Sequence, residues 1–261
     1  MRIILAPMDG VLDHMMRTIL TENGDYDLCV TEFIRIVDQL LPEKVFYRTC
    51  PELKSAGRTS SGTPVRVQLL GQDPDYMAVN ALRAIQLGSQ GIDLNFGCPS
   101  PTVNKSKGGA VLLKEPETIY KIIKSVRDAV PNENIVSAKI RLGYEDKSLA
   151  LEVAHAVESA GADQLTVHAR TKLEGYKPPA HWNWIGKIRA KINIPVIANG
   201  EIWSLNDYNK CKTLSNCSDV MVGRGALAIP NLSQVLKFNA QPLDWQSITD
   251  LLLKYTKQEI Y

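Results

Sequence analysis

The chain has 261 residues, of which 44% are hydrophobic and 22% charged, proportions of an ordinary folded domain that argue against disorder. Its formal net charge is +2, which excludes a grossly basic nucleic-acid binder and leaves any polyanion partner to be argued from where Lys and Arg fall. Five cysteines without a CxxC or CxxxC pair argue against a disulfide framework and against zinc sites built on such pairs. The odd cysteine count fits a reducing cytosol. No apolar run approaches the about 20 residues of a bilayer span, and the N-terminal apolar stretch is too short for a signal peptide. A cytoplasmic protein with no membrane association and no metal is expected, and a monomer.

In chain order, Ile3–Ala6 reads as a strand and Asp13–Thr21 as the helix after it. Leu28–Thr31 is a second strand, but from Glu32 to Pro64 the pattern is poor, with Arg58–Gly62 reading as a flexible loop. An insertion there is expected to lie over the catalytic face. Regularity then returns, with strands at Val65–Leu69 and Gly91–Asn95 separated by a helix at Pro74–Leu87. The helix Pro116–Val130 leads to the strand Val136–Ile140, and Ser148–Ala160 to the strand Gln164–Val167. Trp184–Ile192 precedes the strand Val196–Asn199, and Ser204–Thr213 precedes Asp219–Val222. Eight short β-branched runs alternating with helix-period segments predict an α/β protein with a parallel (β/α)8 TIM barrel. The barrel is expected to occupy 1–238. Residues 239–261, with Pro242–Trp245 as a helix entry and Leu251, Leu252, Leu253 and Tyr255 as a stripe, read as the start of a C-terminal helical region that is cut short.

Barrel enzymes carry catalytic groups at the carboxyl ends of their strands. Those ends yield Pro7-Met8-Asp9, Gln68, Asn95 with Cys98, Lys139 with Arg141, His168 with Arg170, Asn199-Gly200-Glu201 and Gly223-Arg224-Gly225. The last two segments suit a phosphate, because loops after strands seven and eight commonly bind one and glycine lets the backbone approach. Arg224 could add a charge-assisted bond. The plainer alternative is that these glycines only make tight turns. Lys139 and Arg141 share a strand face. Facing the lumen, they would stabilise negative charge on an electron-rich ring; a Schiff-base lysine and an outward-snorkelling one are the alternatives. A cysteine with an ordinary pKa of about 8.5 is mostly protonated at neutral pH, so Cys98 suits a proton donor. Cys29 and Cys211 read as small buried hydrophobes, and His14, His155 and His181 as structural or solvated. Lys105, Lys107, Arg141, Arg170, Lys172 and Lys177 are expected to make the catalytic face basic, as a phosphate-backbone partner requires.

The motifs LAPM, VQLLG, DLNFGCPSPTVNKSKGGA, KIRLGY, VHARTK, VIANGEI and VMVGRGAL together resemble the tRNA-dihydrouridine synthases, in order over residues 3–238. The stretch Asp25–Arg35 with Val37–Pro42 is most similar to the bacterial C-type subfamily, which acts on uridine 16 of the D-loop. The resemblance implies an FMN enzyme that takes hydride from NADPH and delivers it to C6 of uracil in tRNA. Residue by residue, it implies that Pro7, Met8 and Asp9 flank the flavin, Gln68 hydrogen-bonds it, and Lys139 and His168 lie at its ring. Asn199, Gly200, Glu201, Gly223 and Arg224 would hold its phosphate end, Asn95 and Arg141 would contact the uridine or its phosphate, and Cys98 would protonate C5. Arg35 and Tyr176 are further candidates for tRNA contact. Asp9 departs from the Glu common in that family. Two other readings stay open: an FMN barrel dehydrogenase of the dihydroorotate type, and a non-catalytic RNA-binding barrel.

Overall fold

Strands form at β1 (Ile3–Leu5), β2 (Leu28–Arg35), β3 (Val65–Leu70), β4 (Ile92–Phe96), β5 (Val136–Arg141), β6 (Gln164–His168), β7 (Val196–Asn199) and β8 (Val220–Val222). Each pairs in parallel with the next, and β8 pairs with β1, so the sheet closes into an eight-stranded barrel. The computed structural model describes residues 1–259, with side chains described through Thr256. Around the barrel lie α1 (His14–Asn23), α2 (Glu43–Thr49), α3 (Pro74–Gln86), α4 (Pro101–Lys105), α5 (Pro116–Ala129) and α6 (Ala150–Ser159). They are followed by α7 (Trp182–Arg189), α8 (Leu205–Ser215), α9 (Arg224–Ala228), α10 (Leu232–Phe238) and α11 (Trp245–Glu259).

Strand alternation sorts the residues into two sets. Ile3, Leu5, Val65, Val67, Leu69, Ile92, Leu94, Val136, Ala138, Ile140, Leu165 and Val167 face the helices and form the main core. The opposite parity fills the lumen, and its chemistry is divided. On β1, β2, β7 and β8 it supplies a small apolar cluster of Ile4, Ala6, Leu28, Val30, Ile197 and Met221. On β3 to β6 it supplies buried Arg66, Gln68, Asp93, Asn95, Ser137, Arg141, Gln164, Thr166 and His168. Burying so many polar groups is costly unless they are paired, and most of these are: Arg66 donates to Ser137 and Gln164, Gln68 to Asp93, and Asn95 to Gln68.

Helix starts follow capping chemistry. The Asp13 carboxylate accepts from Met16 N, and Asp73 accepts from the Asp75 and Tyr76 amides. Ser204 accepts from Asp207 N while Asp207 accepts from Trp203 N, a reciprocal pair that fixes the loop between β7 and α8.

Two expectations need correction. β2 continues to Arg35, well past Thr31, and its register against β3 shifts between Val30 and Phe33. That bulge resets the alternation, so neighbouring Glu32 and Phe33 both reach the mouth, and it hides the strand from a period-two reading. Arg58–Gly62 does not lie over the catalytic face. It precedes β3, bridges back through Arg58 and Pro64, and meets the end of α1 through Thr59 to Thr21 and Ser60 to Glu22. That is the opposite, amino-terminal end of the barrel. The short helices α2, α4, α9 and α10 also went unread, being too short for helical periodicity to register.

In the expected 239–261 region, α11 touches α1, and Lys254 pairs with Glu22. Trp245, Leu252 and Leu253 are exposed. Ile260 and Tyr261 lie outside the described residues. Among the described residues no helix is long and apolar enough to cross a membrane.

Candidate active site

The carboxyl ends of the strands surround a cavity of about 420 Å³. Of the expected site residues, Arg35 and Arg170 stay outside it, and the others line it: Pro7, Met8 and Asp9 after β1, Gln68 on β3, Asn95 on β4 with Cys98 after it, Lys139 and Arg141 on β5, His168 ending β6 with Tyr176 beyond, Asn199 ending β7 followed by Gly200 and Glu201, and Gly223 with Arg224 after β8. Glu32, Phe33, Ile202, Trp203 and Leu227 line it too and were missed. The bulge concealed the first two; Trp203 lies only four residues past a strand end, where a longer window would have found it.

Cys98 is held in place from several directions. The Asn95 Oδ1 accepts from both the Gly97 and Cys98 amides, each at 2.9 Å. The Cys98 carbonyl accepts from Ala110 N and Asn104 Nδ2, each at 3.0 Å. Gly109 lies behind it at φ +66°, where a Cβ would come within 2.9 Å of the Cys98 carbonyl oxygen; only glycine allows that approach. Arg141 Nε donates to Gly97 O at 2.8 Å. The other four cysteines are buried, whereas Cys98 is partly open. Burial, with the Asp9 carboxylate, holds the Cys98 thiol above the ordinary cysteine value, outweighing the Ser100 backbone hydrogen bond and the charges of Arg141 and Lys139. The sulfur therefore carries its proton at neutral pH.

Lys139 sits in the polar half-lumen, paired in register with Asn95 on one side and Thr166 on the other. Its ammonium has no hydrogen-bond or ion-pair partner among the described residues. Desolvation, with Arg141 nearby, brings its pKa down to about 8. His168 is kept neutral: burial and the charges of Arg141, Lys139, Arg170 and Arg224 depress its pKa well below the usual imidazole value. Neither of its ring nitrogens is hydrogen-bonded among the described residues. A cation and a neutral imidazole left open in one pocket form a donor set for an electron-rich, hydrogen-bonding ring.

The far side of the cavity is built around Glu201. Its carboxylate pairs with buried Arg170, lies 3.8 Å from Arg224 and accepts from Trp203 Nε1 at 2.8 Å. The Glu201 side chain thereby positions both arginines. The Arg224 guanidinium lies 5.2 Å from the Tyr176 ring and 5.1 Å from the Trp203 ring, near enough for cation–π attraction to fix it. Gly200, at φ +113°, packs so close that a Cβ would meet His168 Cδ2 at 2.8 Å.

Two expectations about cations change here. Arg170 is fully buried, its Nε donating to Lys177 O at 2.7 Å, so it adds nothing to an open basic face. Arg141 is committed as well, with Nη1 donating to Thr171 O and Gly175 O, and it ties the Cys98 loop to the Tyr176 segment. Arg35 bonds Ser106 Oγ and lines a separate recess of about 320 Å³ with Lys105 and Lys107. Lys172 lies over the Tyr144 ring at 4.8 Å. Among the described residues no group of three or more His, Cys, Asp or Glu is placed to hold a metal ion.

Comparison with known proteins agrees with this architecture. The family model "Dihydrouridine synthase (Dus)" matches residues 4–257. A tRNA-dihydrouridine(16) synthase of Haemophilus influenzae is 61% identical over 260 residues, covering 99% of this chain and 84% of that protein. The enzyme of the same name from Shewanella oneidensis is 58% identical, covering 100% of this chain and 82% of its own length. Among solved structures, an old yellow enzyme homologue from Zymomonas mobilis superimposes with TM-score 0.65 at 13% identity, over 93% of this chain and 90% of its own, a likeness of fold alone. The chain belongs to the dihydrouridine synthase family.

Proposed function

We propose that this chain reduces uridine 16 of the tRNA D-loop to 5,6-dihydrouridine, with FMN as cofactor, NADPH as reductant and Cys98 as proton donor. The observation that carries this reading is the unpartnered Lys139 ammonium, which shares one cavity with a protonated Cys98. The relatives' name supports the substrate and the position.

The residues present fit FMN. Lys139 and the neutral His168 offer donors to the ring, Gln68 has a second amide hydrogen, and Pro7, Met8 and Asp9 border the space. Arg224, held by Glu201, Tyr176 and Trp203, would take the phosphate beside Gly200 and Gly223. FMN, when bound, supplies the hydride that saturates C6. Lys139 offsets negative charge as it develops, Cys98 gives its S–H proton to C5, and the resulting thiolate regains a proton from water. The base must leave the tRNA stack to enter a cavity this deep. Arg35, Lys105 and Lys107 beside the mouth would meet backbone phosphates, and α11 would contribute to tRNA binding.

The test is purified protein with NADPH and unmodified tRNA. A gain of two hydrogens at uridine 16 is expected. Turnover on free dihydroorotate with none on tRNA would replace this reading by the other FMN-barrel chemistry.

A further inference from the structure

Asp93 is a carboxylate buried in the barrel lumen, and the reaction above assigns it no task. Its Oδ1 accepts from Ser137 Oγ at 2.5 Å, and Ser137 in turn accepts from Arg66 Nη1 at 3.0 Å. Its Oδ2 accepts from Gln68 Nε2 at 2.7 Å. Gln68 Oε1 accepts from Asn95 Nδ2 at 2.7 Å, and Asn95 Oδ1 accepts from the Gly97 and Cys98 amides. An unbroken hydrogen-bonded chain thus runs from the lumen to the Cys98 backbone.

The two ends of that chain have fixed polarity. Burial raises the Asp93 pKa, while the Ser137 and Gln68 donors and the charges of Arg66 and Lys139 favour its carboxylate; as a carboxylate it only accepts, and backbone N–H groups only donate. Between them stand two amides, each able to turn, and only one combination satisfies both ends. Asp93 forces Gln68 to point its NH2 group inward, which presents Oε1 to Asn95. Asn95 must then present its NH2 to Gln68 and its oxygen to the Cys98 turn. Buried chains of this kind strongly favour the fully satisfied arrangement.

We propose that Asp93 is a positioning residue for Cys98, acting through Gln68 and Asn95 by setting the direction of this hydrogen-bond chain. As a contribution to proton delivery it rests on Cys98 being the donor; as a statement about the loop it does not.

Breaking and then reversing the polarity of the chain provides the test. Asn95→Asp places a second acceptor in the chain, so that whichever way Gln68 turns, two oxygens face each other at position 93 or 95. Adding Asp93→Asn reverses the chain without changing its composition. The carboxylate at 95 accepts from the Gly97 and Cys98 amides and from a turned Gln68, while the amide at 93 donates to Gln68 Oε1 and still accepts from Ser137. The readout is alkylation of Cys98 by iodoacetamide in the flavin-loaded protein without tRNA, followed against pH. The other cysteines are buried, and the limiting rate at high pH separates loop geometry from any shift in thiol pKa.

Asn95→Asp should change that limiting rate by about fivefold or more, the equivalent of one lost hydrogen bond. The reversed pair should return it to within about twofold of the parent. A pair that behaves like the single variant, or a single variant that behaves like the parent, overturns the inference. If Asn95→Asp does not fold, recovery of folded protein with the parental limiting rate in the pair supports the inference equally, and a pair that also fails to fold overturns it. Full activity in Cys98→Ala would instead refute the proton-donor assignment and leave the alkylation result standing, so the two failures are separable.

Discussion

Replacing Lys139 by Met should make the flavin-free protein more stable while depriving it of its chemistry. The lysine pKa falls from an ordinary value near 10.5 to about 8 because burial and Arg141 disfavour the charged form. Between those values the unfolded chain binds the extra proton, so stability rises with pH across that window. Below about pH 8 both states are protonated and the full penalty of holding the cation in the barrel is present. The displacement corresponds to about 3 kcal/mol, and Met fills nearly the same volume without a charge. Urea unfolding of flavin-free parent and Lys139→Met at pH 7 should show the variant ahead by about 2–3 kcal/mol, with the gap closing as pH approaches 10.5. FMN must be stripped from both, since a bound ligand adds its own stabilisation. In the same variant, flavin affinity and turnover should fall. A variant no more stable than the parent at pH 7, or a gain that does not shrink with rising pH, would refute the reasoning that Lys139 is strained for function.

Three further outcomes follow from the site. Cys98→Ala should retain FMN and its reduction by NADPH but lose dihydrouridine formation by about 100-fold or more, read by single-turnover oxidation with tRNA; full activity would remove Cys98 from the mechanism. Arg224→Ala should weaken FMN binding by about 10-fold or more, the scale of a charged hydrogen bond, while riboflavin, which lacks the phosphate, binds with unchanged affinity in a fluorescence titration. Equal losses for both ligands would move the phosphate elsewhere. Gly200→Ala should destabilise the protein by about 2–4 kcal/mol, because φ is +113° and the new methyl would sit 2.8 Å from His168 Cδ2; a urea midpoint equal to the parent's would contradict that geometry.

The barrel was legible because parallel strands buried on both faces leave compact β-branched runs, and seven of those runs matched the observed strands to within a residue at each end. β2 was the exception: its bulge breaks the alternation on which such reading depends. The cavity followed from the fold alone, since strand ends in this architecture converge on one mouth. What adjacency in the sequence does not show is which polar groups spend themselves on one another. Arg170 looked like an open cation beside His168 but is consumed by Glu201, and Arg141 is occupied by three backbone carbonyls. Asp93 stands two residues before Asn95 on the same strand face, so parity alone places it in the lumen, yet its partner Gln68 comes from β3. Such long-range pairings emerge only when strands distant in the chain are brought side by side.

The central claim, that this barrel delivers a hydride and the Cys98 proton to one D-loop uridine, is tested most directly in cells lacking the gene. Mass spectrometry of their tRNA should find position 16 lighter by two hydrogens, restored by the parental gene and not by Cys98→Ala. Dihydrouridine persisting at position 16 in the deleted cells, or returning with the Ala variant, would contradict it.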